Sequence, residues 1–289
     1  MKVLILGGTG SIGTAVTHEL VRNGHHVTGL SRSAASDRKL EAMGARPLRG
    51  DLRRPGSWVG EVIGTDALIQ LAATFDDGMA KADTAAITAI LRQAALRPEP
   101  LRLLYTGGCW LYGATGSRVA DEASPMRPIK PFAWMQENSQ KVLASPALSA
   151  AAVHPAMVYH EGGGAFSRYL EAARDGQPFE IWGSITTRWP LIHRADLARA
   201  YRLLLERPQL TGHFNASAET GVPVAEITGE IARRHGHDAG YVVRSLKHVL
   251  IKYGAWAEGP ALDQQMAAGR LRRLTGWKVQ HSSFRTAHF

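Results

Sequence analysis

The pattern of hydrophobic and polar positions in the first half of the chain alternates between two periods. Residues 11–23 carry apolar side chains at the spacing of one helix face, which predicts an amphipathic helix. Short, continuously apolar runs predict buried β-strands at residues 2–8, 25–32, 67–73, 101–107 and 149–159. Strands that alternate with helices favour parallel β-α-β units, so the sequence predicts an α/β fold with a doubly wound parallel sheet.

The pattern changes after about residue 160. The segment EGGGAF predicts a turn, and residues 223–236 and 242–257 carry helical patterns. Within the second of these, an apolar stripe typical of core packing is formed by Leu246, Val249, Leu250 and Tyr253. We therefore expect a small, mostly helical C-terminal cap that lies over one edge of the sheet.

Composition and charge narrow the class of protein. The 289 residues carry a formal charge of +9, and residues 233–289 hold ten Lys or Arg against three Asp or Glu. We interpret this excess as a solvated basic face, with attraction to an anionic substrate or partner as the alternative.

No basic run is interleaved with aromatic residues, so we expect no nucleic-acid binding. No apolar run approaches the roughly 18 residues of a membrane helix, so we expect no membrane partner. The single cysteine, Cys109, excludes an intramolecular disulfide and a cysteine metal cluster, and fits a cytoplasmic protein that binds no metal.

The segment GGTGSIG places Gly7, Gly10 and Gly13 directly after the first predicted strand and at the start of a helix. Gly7 permits the tight turn, Gly10 lets the backbone approach a pyrophosphate, and Gly13 allows close helix–strand packing. The helix N-terminus offers free N–H groups to phosphate oxygens. The sequence thus predicts a Rossmann-like dinucleotide-binding core over residues 1–160. Residues 161–289 are expected to return to that core and to form a substrate-binding cap.

The end of the second predicted strand indicates which dinucleotide is bound. A carboxylate there commonly accepts from the ribose 2′-hydroxyl of NAD, whereas this chain has Ser31 and Arg32. An arginine can bind a 2′-phosphate in bidentate fashion, so we expect NADP, with NAD the weaker alternative. Asp51 in the segment GDL is expected to contact the adenine end, although a simple turn acid fits the same pattern.

These segments together resemble the short-chain dehydrogenase/reductase superfamily, in its extended branch of NAD-dependent epimerase/dehydratase type. The similarity rests on GGTGSIG, LIQLAA, YTGGCWLYG, HPAMVYHEGG, LIHRADLARA and TGW, and so covers nearly the whole chain. It implies a cofactor site formed by Gly7, Thr9, Gly10, Ser11, Ile12, Gly13, Ser31, Arg32, Asp51, Leu52, Leu71, Ala72, Ala73, Gln136 and Pro155.

The departures from this family pattern concern its catalytic residues. The catalytic serine of the family would fall at Gly107 or Gly108. Its tyrosine would fall at Phe132, or at Trp134 in a shifted register, and its lysine at Gln136 or Asn138. The chain therefore resembles the atypical members that lack the Ser-Tyr-Lys set. Gln136 or Asn138 is expected to bind the cofactor ribose in place of the lysine.

Other side chains must then carry any proton chemistry. Tyr112 is the first candidate, followed by His154, His160 and water, although a packed tyrosine ring and buried histidines are ordinary core features. The rim of the predicted site is rich in aromatic residues, which favours an aromatic or polycyclic substrate over a nucleotide sugar. The residues expected to contact the substrate are Cys109, Trp110, Phe132, Trp134, Tyr159, Arg188 and Trp189.

Three functions remain open at this stage. The first is an NADP(H)-dependent oxidoreductase that acts on a small aromatic or hydrophobic molecule, with hydride supplied by the cofactor. The second is a non-redox enzyme of the same fold, such as an isomerase, cyclase or dehydratase. The third is a dinucleotide-binding regulator without catalysis. A homodimer is expected only by analogy with the fold.

Overall fold

A parallel sheet forms the centre of the protein, and two smaller sheets lie in the cap. The structure is a computed structural model that describes residues 1–73 and 76–289. Its strands are β1 (Lys2–Leu6), β2 (His26–Ser31), β3 (Arg46–Arg49), β4 (Ala67–Gln70), β5 (Leu101–Thr106), β6 (Leu148–Pro155), β7 (Met157–His160), β8 (Gly163–Gly164), β9 (Phe179–Trp182), β10 (Arg188–His193), β11 (Gly212–Ala216), β12 (Glu219–Pro223) and β13 (Tyr241–Arg244). Seven of them pair in parallel in the order β11-β6-β5-β4-β1-β2-β3, which confirms the predicted doubly wound sheet. Their carboxyl ends meet at one edge, where ligands of such sheets bind.

Helices cover both faces of this sheet. They are α1 (Ser11–Arg22), α2 (Ala34–Ala42), α3 (Met79–Ala94), α4 (Ala133–Ala144), α5 (Ser167–Arg174), α6 (Arg194–Leu205), α7 (Val224–His235), α8 (Leu246–Tyr253) and α9 (Gly269–Thr275). Along β1, Val3 and Ile5 belong to the core that α1 and α6 cover, whereas Leu4 and Leu6 belong to the core under α3 and α4. Because successive side chains point to opposite faces, a strand buried on both sides is apolar at every position.

The cap combines helices with two small sheets. One sheet has the order β12-β10-β7-β8, and the other pairs β13 with β9. Its core is aromatic, with Tyr159, Phe166, Tyr169 and Phe284 fully buried. The second half of the chain also returns to the central sheet, because β11 forms its edge and α6 packs against α1. Among the described residues, no helix is both long enough and apolar enough to cross a membrane.

Two predicted elements differ from the structure. The helix expected over 242–257 begins only at Leu246, because Tyr241–Arg244 pairs in parallel with Phe179–Trp182 as β13. Of the predicted apolar stripe, Val249 alone is fully buried. The strand expected over 149–159 is two strands, since the chain turns at Ala156 from the central sheet into the cap sheet. Local patterns could not show either change, because both depend on a distant partner strand.

Candidate cofactor and substrate site

The glycine-rich turn between β1 and α1 is held by backbone contacts that exclude side chains at two of its glycines. Gly7 has a φ of 88°, and a Cβ atom there would lie 2.7 Å from the backbone nitrogen of Ala72. A Cβ atom on Gly13 would collide with the carbonyl oxygen of Gly7. Gly10 differs, because its Cβ would meet only that oxygen, at 3.4 Å. The fold itself therefore needs Gly7 and Gly13, whereas the space beside Gly10 is open to a ligand.

The N-terminus of α1 presents unpaired backbone N–H groups at this turn. Gly10 is its N-cap residue, so no side chain caps the helix, and no acidic residue lies in the first turn. Ser11 Oγ and His160 Nε2 lie 2.9 Å apart, and His160 Nδ1 accepts from the backbone N–H of Gly162 at 3.0 Å. Burial lowers the pKa of His160. The imidazole thus donates to Ser11 through Nε2 and lies beside the N-terminus of α1.

A cleft of about 200 Å³ beside the glycine turn brings together most residues predicted to bind the cofactor. Leu30, Ser36, Arg53 and Ala82 complete it. The predicted residues that line it are Gly7, Thr9, Gly10, Ser31, Arg32, Asp51, Leu52, Leu71, Ala72 and Ala73. Segments that are far apart in sequence meet here because parallel strands end at the same edge of the sheet. The cleft has the position of an adenosine site in such folds.

A second cleft of about 300 Å³ adjoins the first and is rich in arginine. Arg32, Arg49 and Arg54 line it. Arg49 pairs with Asp37, and the hydrogen bond donated by Ser31, together with this pairing, lowers the pKa of the Asp37 carboxyl. Within the described parts of the chain, the side chains of Arg32 and Arg54 have no ion-pair partner. The cleft therefore offers two unpaired guanidinium groups to an anion beside the adenosine position. The sequence pattern identified only the first of them.

A cavity of about 550 Å³ lies between the carboxyl ends of the central strands and the cap. Its sheet end is formed by Ser11, Ile12, Thr106, Gly107 and Pro155. Four tryptophans form much of the remaining wall, and the residues on this side include Trp110, Phe132, Met135, Met157, Arg168, Trp182, Trp189 and Trp256. A largely apolar pocket of this volume with few polar groups is typical of a small-molecule site.

The polar groups of this cavity are few. Of the described residues that line it, none carries a carboxylate, an imidazole or an ammonium group. Thr106 Oγ1 shares a 2.6 Å hydrogen bond with the hydroxyl of Tyr201 on α6. The thiol of Cys109 is buried, which raises its pKa to about 12 and keeps it protonated. Thr106 precedes Gly107, so a hydroxyl is present one residue before the position at which the family's serine was expected.

The structure does not place Tyr112 or His154 in this cavity. Tyr112 is buried and donates to Asn215 Oδ1 at 2.7 Å, and burial raises its pKa. His154 is fully buried behind Gly107, and its Nε2 lies 2.9 Å from His213 Nδ1. Burial lowers the pKa of His154 to about 3. The prediction that Tyr112 or His154 carries the proton chemistry is therefore corrected, because the Tyr112 hydroxyl donates to β11 and His154 lies behind Gly107.

The segment 131–141 contributes to the site with a different set of side chains than expected. Phe132 lines the cavity as predicted, and Met135, one turn later, lines it too. The Trp134 indole donates to the Pro131 carbonyl at 2.9 Å, outside the cavity. Asn138 is buried and donates to Asp83 at 2.8 Å, so it is not free to bind a ribose. Gln136 lines none of the three clefts described above.

Among the predicted substrate contacts, Cys109, Trp110 and Trp189 line the cavity, whereas Tyr159 and Arg188 do not. Tyr159 is buried in the cap core, where its ring stacks on Phe166. Arg188 pairs with both carboxylate oxygens of Asp263 and donates to Gly116, so its charge is compensated. Sequence reasoning missed several cavity and cleft residues that no local signal marks: Arg49, Arg54, Thr106, Met135, Arg168, Trp182 and Trp256.

A cluster of potential metal ligands lies where α6 begins. His193, Asp196 and His281 place one ligand atom each within 4.8 Å of the others. Asp196 is fully buried and already accepts from the backbone N–H groups of Gln280 and His281, at 2.7 and 2.8 Å, and from Arg199. Its carboxylate therefore fastens the C-terminal segment to α6, which accounts for the cluster without a metal.

Comparison with known proteins identifies a family and distant relatives. The model of the NAD dependent epimerase/dehydratase family matches residues 3–217. An uncharacterized protein of Schizosaccharomyces pombe is 27% identical over 99% of this chain and 97% of its own length. An NAD(P)H azoreductase of Xenophilus azovorans is 27% identical over 92% of this chain and 83% of its own length. The crystal structure of the human epimerase family protein SDR39U1 with NADPH has a TM-score of 0.80 at 22% identity, covering 100% of this chain and 98% of that one.

Proposed function

The chain belongs to the NAD dependent epimerase/dehydratase family, and from that premise we propose that it is an NADP(H)-dependent oxidoreductase acting on a small, planar, aromatic or hydrophobic molecule. The observation that carries this proposal is the arrangement of the three clefts. An adenosine-sized cleft adjoins the glycine turn, an arginine cleft adjoins that first cleft, and a cavity lined by tryptophan lies at the strand ends. The matching relative named as an NAD(P)H azoreductase agrees with reduction of a planar aromatic molecule.

The fit of the cofactor rests on residues of this chain. Gly10 leaves space at the N-terminus of α1 for the pyrophosphate, whose charge the helix dipole favours. Arg32 and Arg54 are free to bind a 2′-phosphate, whereas the carboxylate of Asp37 is already paired with Arg49. His160, neutral and fixed on Ser11, adds a polar group at the phosphates. These features support NADP over NAD.

The bound cofactor would supply hydride, and the residues of the cavity would orient and polarise the acceptor. Thr106 lines the sheet end of the cavity, and its hydroxyl is oriented by Tyr201 at 2.6 Å. We assign Thr106 the role of hydrogen-bond donor to the acceptor oxygen as negative charge develops there. Tyr112 and His154 have no part in this mechanism, because neither reaches the cavity.

The missing Brønsted acid restricts which acceptors can react. Because the described lining holds no carboxylic acid, imidazole or ammonium group, the proton that completes the reduction must come from water. A quinone can hold the negative charge until that proton arrives, because hydride addition converts it to a delocalised hydroquinone anion. The cavity therefore favours quinones over ketones, whose reduction leaves a localised alkoxide that depends on the Thr106 hydroxyl.

A dinucleotide-binding regulator is the second candidate function. The absence of the family's catalytic side chains favours it, because their expected positions hold Gly107, Phe132 and Gln136. Such a protein would bind NADPH with the affinity of an enzyme but would transfer no hydride.

The two functions are separated by isotope transfer. NADPH deuterated at the transferred C4 position is incubated with the protein and with 1,4-naphthoquinone or 2-acetylnaphthalene, and the products are examined by mass spectrometry. The reductase predicts deuterium on the carbon of the reduced ketone and stoichiometric loss of NADPH with the quinone. The Gly10→Val variant serves as the control for background reaction, because it keeps the fold but cannot hold the cofactor. NADPH binding without turnover of any acceptor in the panel would instead support the regulator.

Thr106 provides a test of the mechanism. Replacing it with valine keeps the shape but removes the hydroxyl, and we expect kcat for the ketone to fall by roughly 10²-fold while the dissociation constant of NADPH stays unchanged. Full turnover in Thr106→Val would show that the acceptor oxygen binds elsewhere.

A further inference from the structure

Arg168 places a fixed positive charge in the wall of the aromatic cavity. It lies in the first turn of α5, and its guanidinium carbon is 3.8 Å from the ring centroid of Trp182 and 4.7 Å from that of Tyr169. Its Nη2 donates to the Tyr169 hydroxyl at 2.8 Å. Stacking and this hydrogen bond together fix the plane of the guanidinium.

The other terminal nitrogen of Arg168 has no partner. Nη1 is buried and makes no hydrogen bond within the described residues. Two other arginines of the second half of the chain are compensated, because Arg188 pairs with Asp263 at 2.6 Å and Arg194 pairs with Glu161 at 2.9 Å. No such carboxylate approaches Arg168 within residues 1–73 and 76–289. A buried donor without a partner is costly unless a ligand supplies the acceptor.

A second unused donor belongs to another residue of the cavity wall. The indole Nε1 of Trp110 is buried without a hydrogen-bond partner, and Trp110 also lines the cavity. The unpaired buried polar groups on described residues of this wall are therefore both donors, one of them permanently charged. A ligand that satisfies them must bring acceptor oxygens, and an anionic oxyacid matches a guanidinium best.

We propose that the substrate is a planar aromatic molecule bearing a carboxylate or sulfonate, and that Arg168 is the residue that binds this anionic group. The aromatic body lies among the tryptophan rings, and the oxyacid accepts from Arg168 Nη1. The inference rests on the proposed function, because it concerns the substrate cavity of that reaction.

The test compares two probes of the same shape. Naphthalene-2-carboxylate and its neutral counterpart naphthalene-2-carboxamide are titrated into the protein saturated with NADP⁺, with quenching of tryptophan fluorescence as the readout. A charge-assisted hydrogen bond predicts that the carboxylate binds roughly 10- to 150-fold more tightly than the carboxamide. Naphthalene-2-sulfonate, measured alongside, shows which of the two oxyacids is preferred.

Variants assign the preference to Arg168. Arg168→Met should remove the preference for the carboxylate while carboxamide binding changes less than about threefold, because the apolar contacts remain. Arg168→Lys should restore only part of it, since an ammonium cannot stack flat on Trp182. Arg174→Met, on the exposed last turn of the same helix, is the matched control and should bind as wild type does. Should Arg168→Met not fold, Arg168→Gln provides the uncharged variant.

The outcomes distinguish this inference from the proposed function. Equal affinities for the two probes in the wild type, or an unchanged preference in a folded Arg168→Met, would overturn the role of Arg168. Preferential binding of the carboxylate without any hydride transfer would leave the inference standing and would reject the oxidoreductase. Hydride transfer to neutral aromatic ketones without a carboxylate preference would reject the inference alone.

Discussion

We predict that two arginines decide the choice between NADP and NAD, and single substitutions can test this prediction. Arg32 and Arg54 line the cleft beside the adenosine position, and neither has an ion-pair partner among the described residues. Removing either side chain should weaken NADPH binding and leave NADH binding unchanged, because only NADPH carries the 2′-phosphate.

The magnitude follows from the exposure of the two side chains. A hydrogen bond to a charged group contributes about 1.5–3 kcal/mol, and solvent screening of exposed arginines favours the lower limit. Each of Arg32→Ala and Arg54→Ala should therefore raise the dissociation constant of NADPH roughly tenfold. Because both bind one phosphate, the double variant should lose roughly 100-fold at most, with some non-additivity.

Isothermal titration calorimetry with NADPH and with NADH measures the two dissociation constants directly. Arg46→Ala is the matched control. Arg46 is the first residue of β3, the strand that ends at Arg49, but its side chain pairs with Glu61 and does not line the cleft. The preference should also shrink as salt rises, because the Debye length falls from about 10 Å at 0.1 M to about 3 Å at 1 M. Equal affinities of wild type for the two cofactors, or an unchanged ratio in Arg32→Ala, would refute the reasoning.

Three further predictions concern individual residues. Gly10→Val should abolish NADPH binding in titrations, yet its melting temperature should lie within a few degrees of that of wild type. Gly13→Val should not fold, because a Cβ atom there collides with Gly7. NADPH binding by Gly10→Val would disprove the pyrophosphate site. Tyr112→Phe should keep kcat within about twofold but lose about 1–3 kcal/mol of unfolding free energy, because it leaves Asn215 without its donor; a large loss of kcat would return Tyr112 to the mechanism. Burial depresses the pKa of His154 from 6.5 to about 3, so the unfolded state binds the proton first as pH falls, and stability is lost progressively between about pH 6.5 and pH 3. His154 alone should cost about 2 kcal/mol between pH 7 and pH 5, and denaturant melts of His154→Gln should show a correspondingly flatter pH dependence.

Much of the fold followed from local patterns. The glycine turn could be located because Gly7 and Gly13 are required by backbone contacts made within one β-α unit. The central strands could be located because a strand buried on both faces is apolar at every position, as Leu4 and Ile5 are. Pairing with a distant strand leaves no such trace, so the local pattern predicts a helix where the structure has β13.

The candidate site divides in the same way. By itself, the sequence determined the family, the glycine-rich turn and the residues at the strand ends, because each depends on local geometry or on the shared edge of a parallel sheet. Tertiary structure alone decided what each side chain does there. Tyr112 and Arg188 bind Asn215 and Asp263, whereas Arg168, which lines the cavity, keeps one unpaired donor. The reason is physical: whether a polar group is free for a ligand depends on partners about a hundred residues away for Tyr112 and 75 for Arg188, and no local pattern records them.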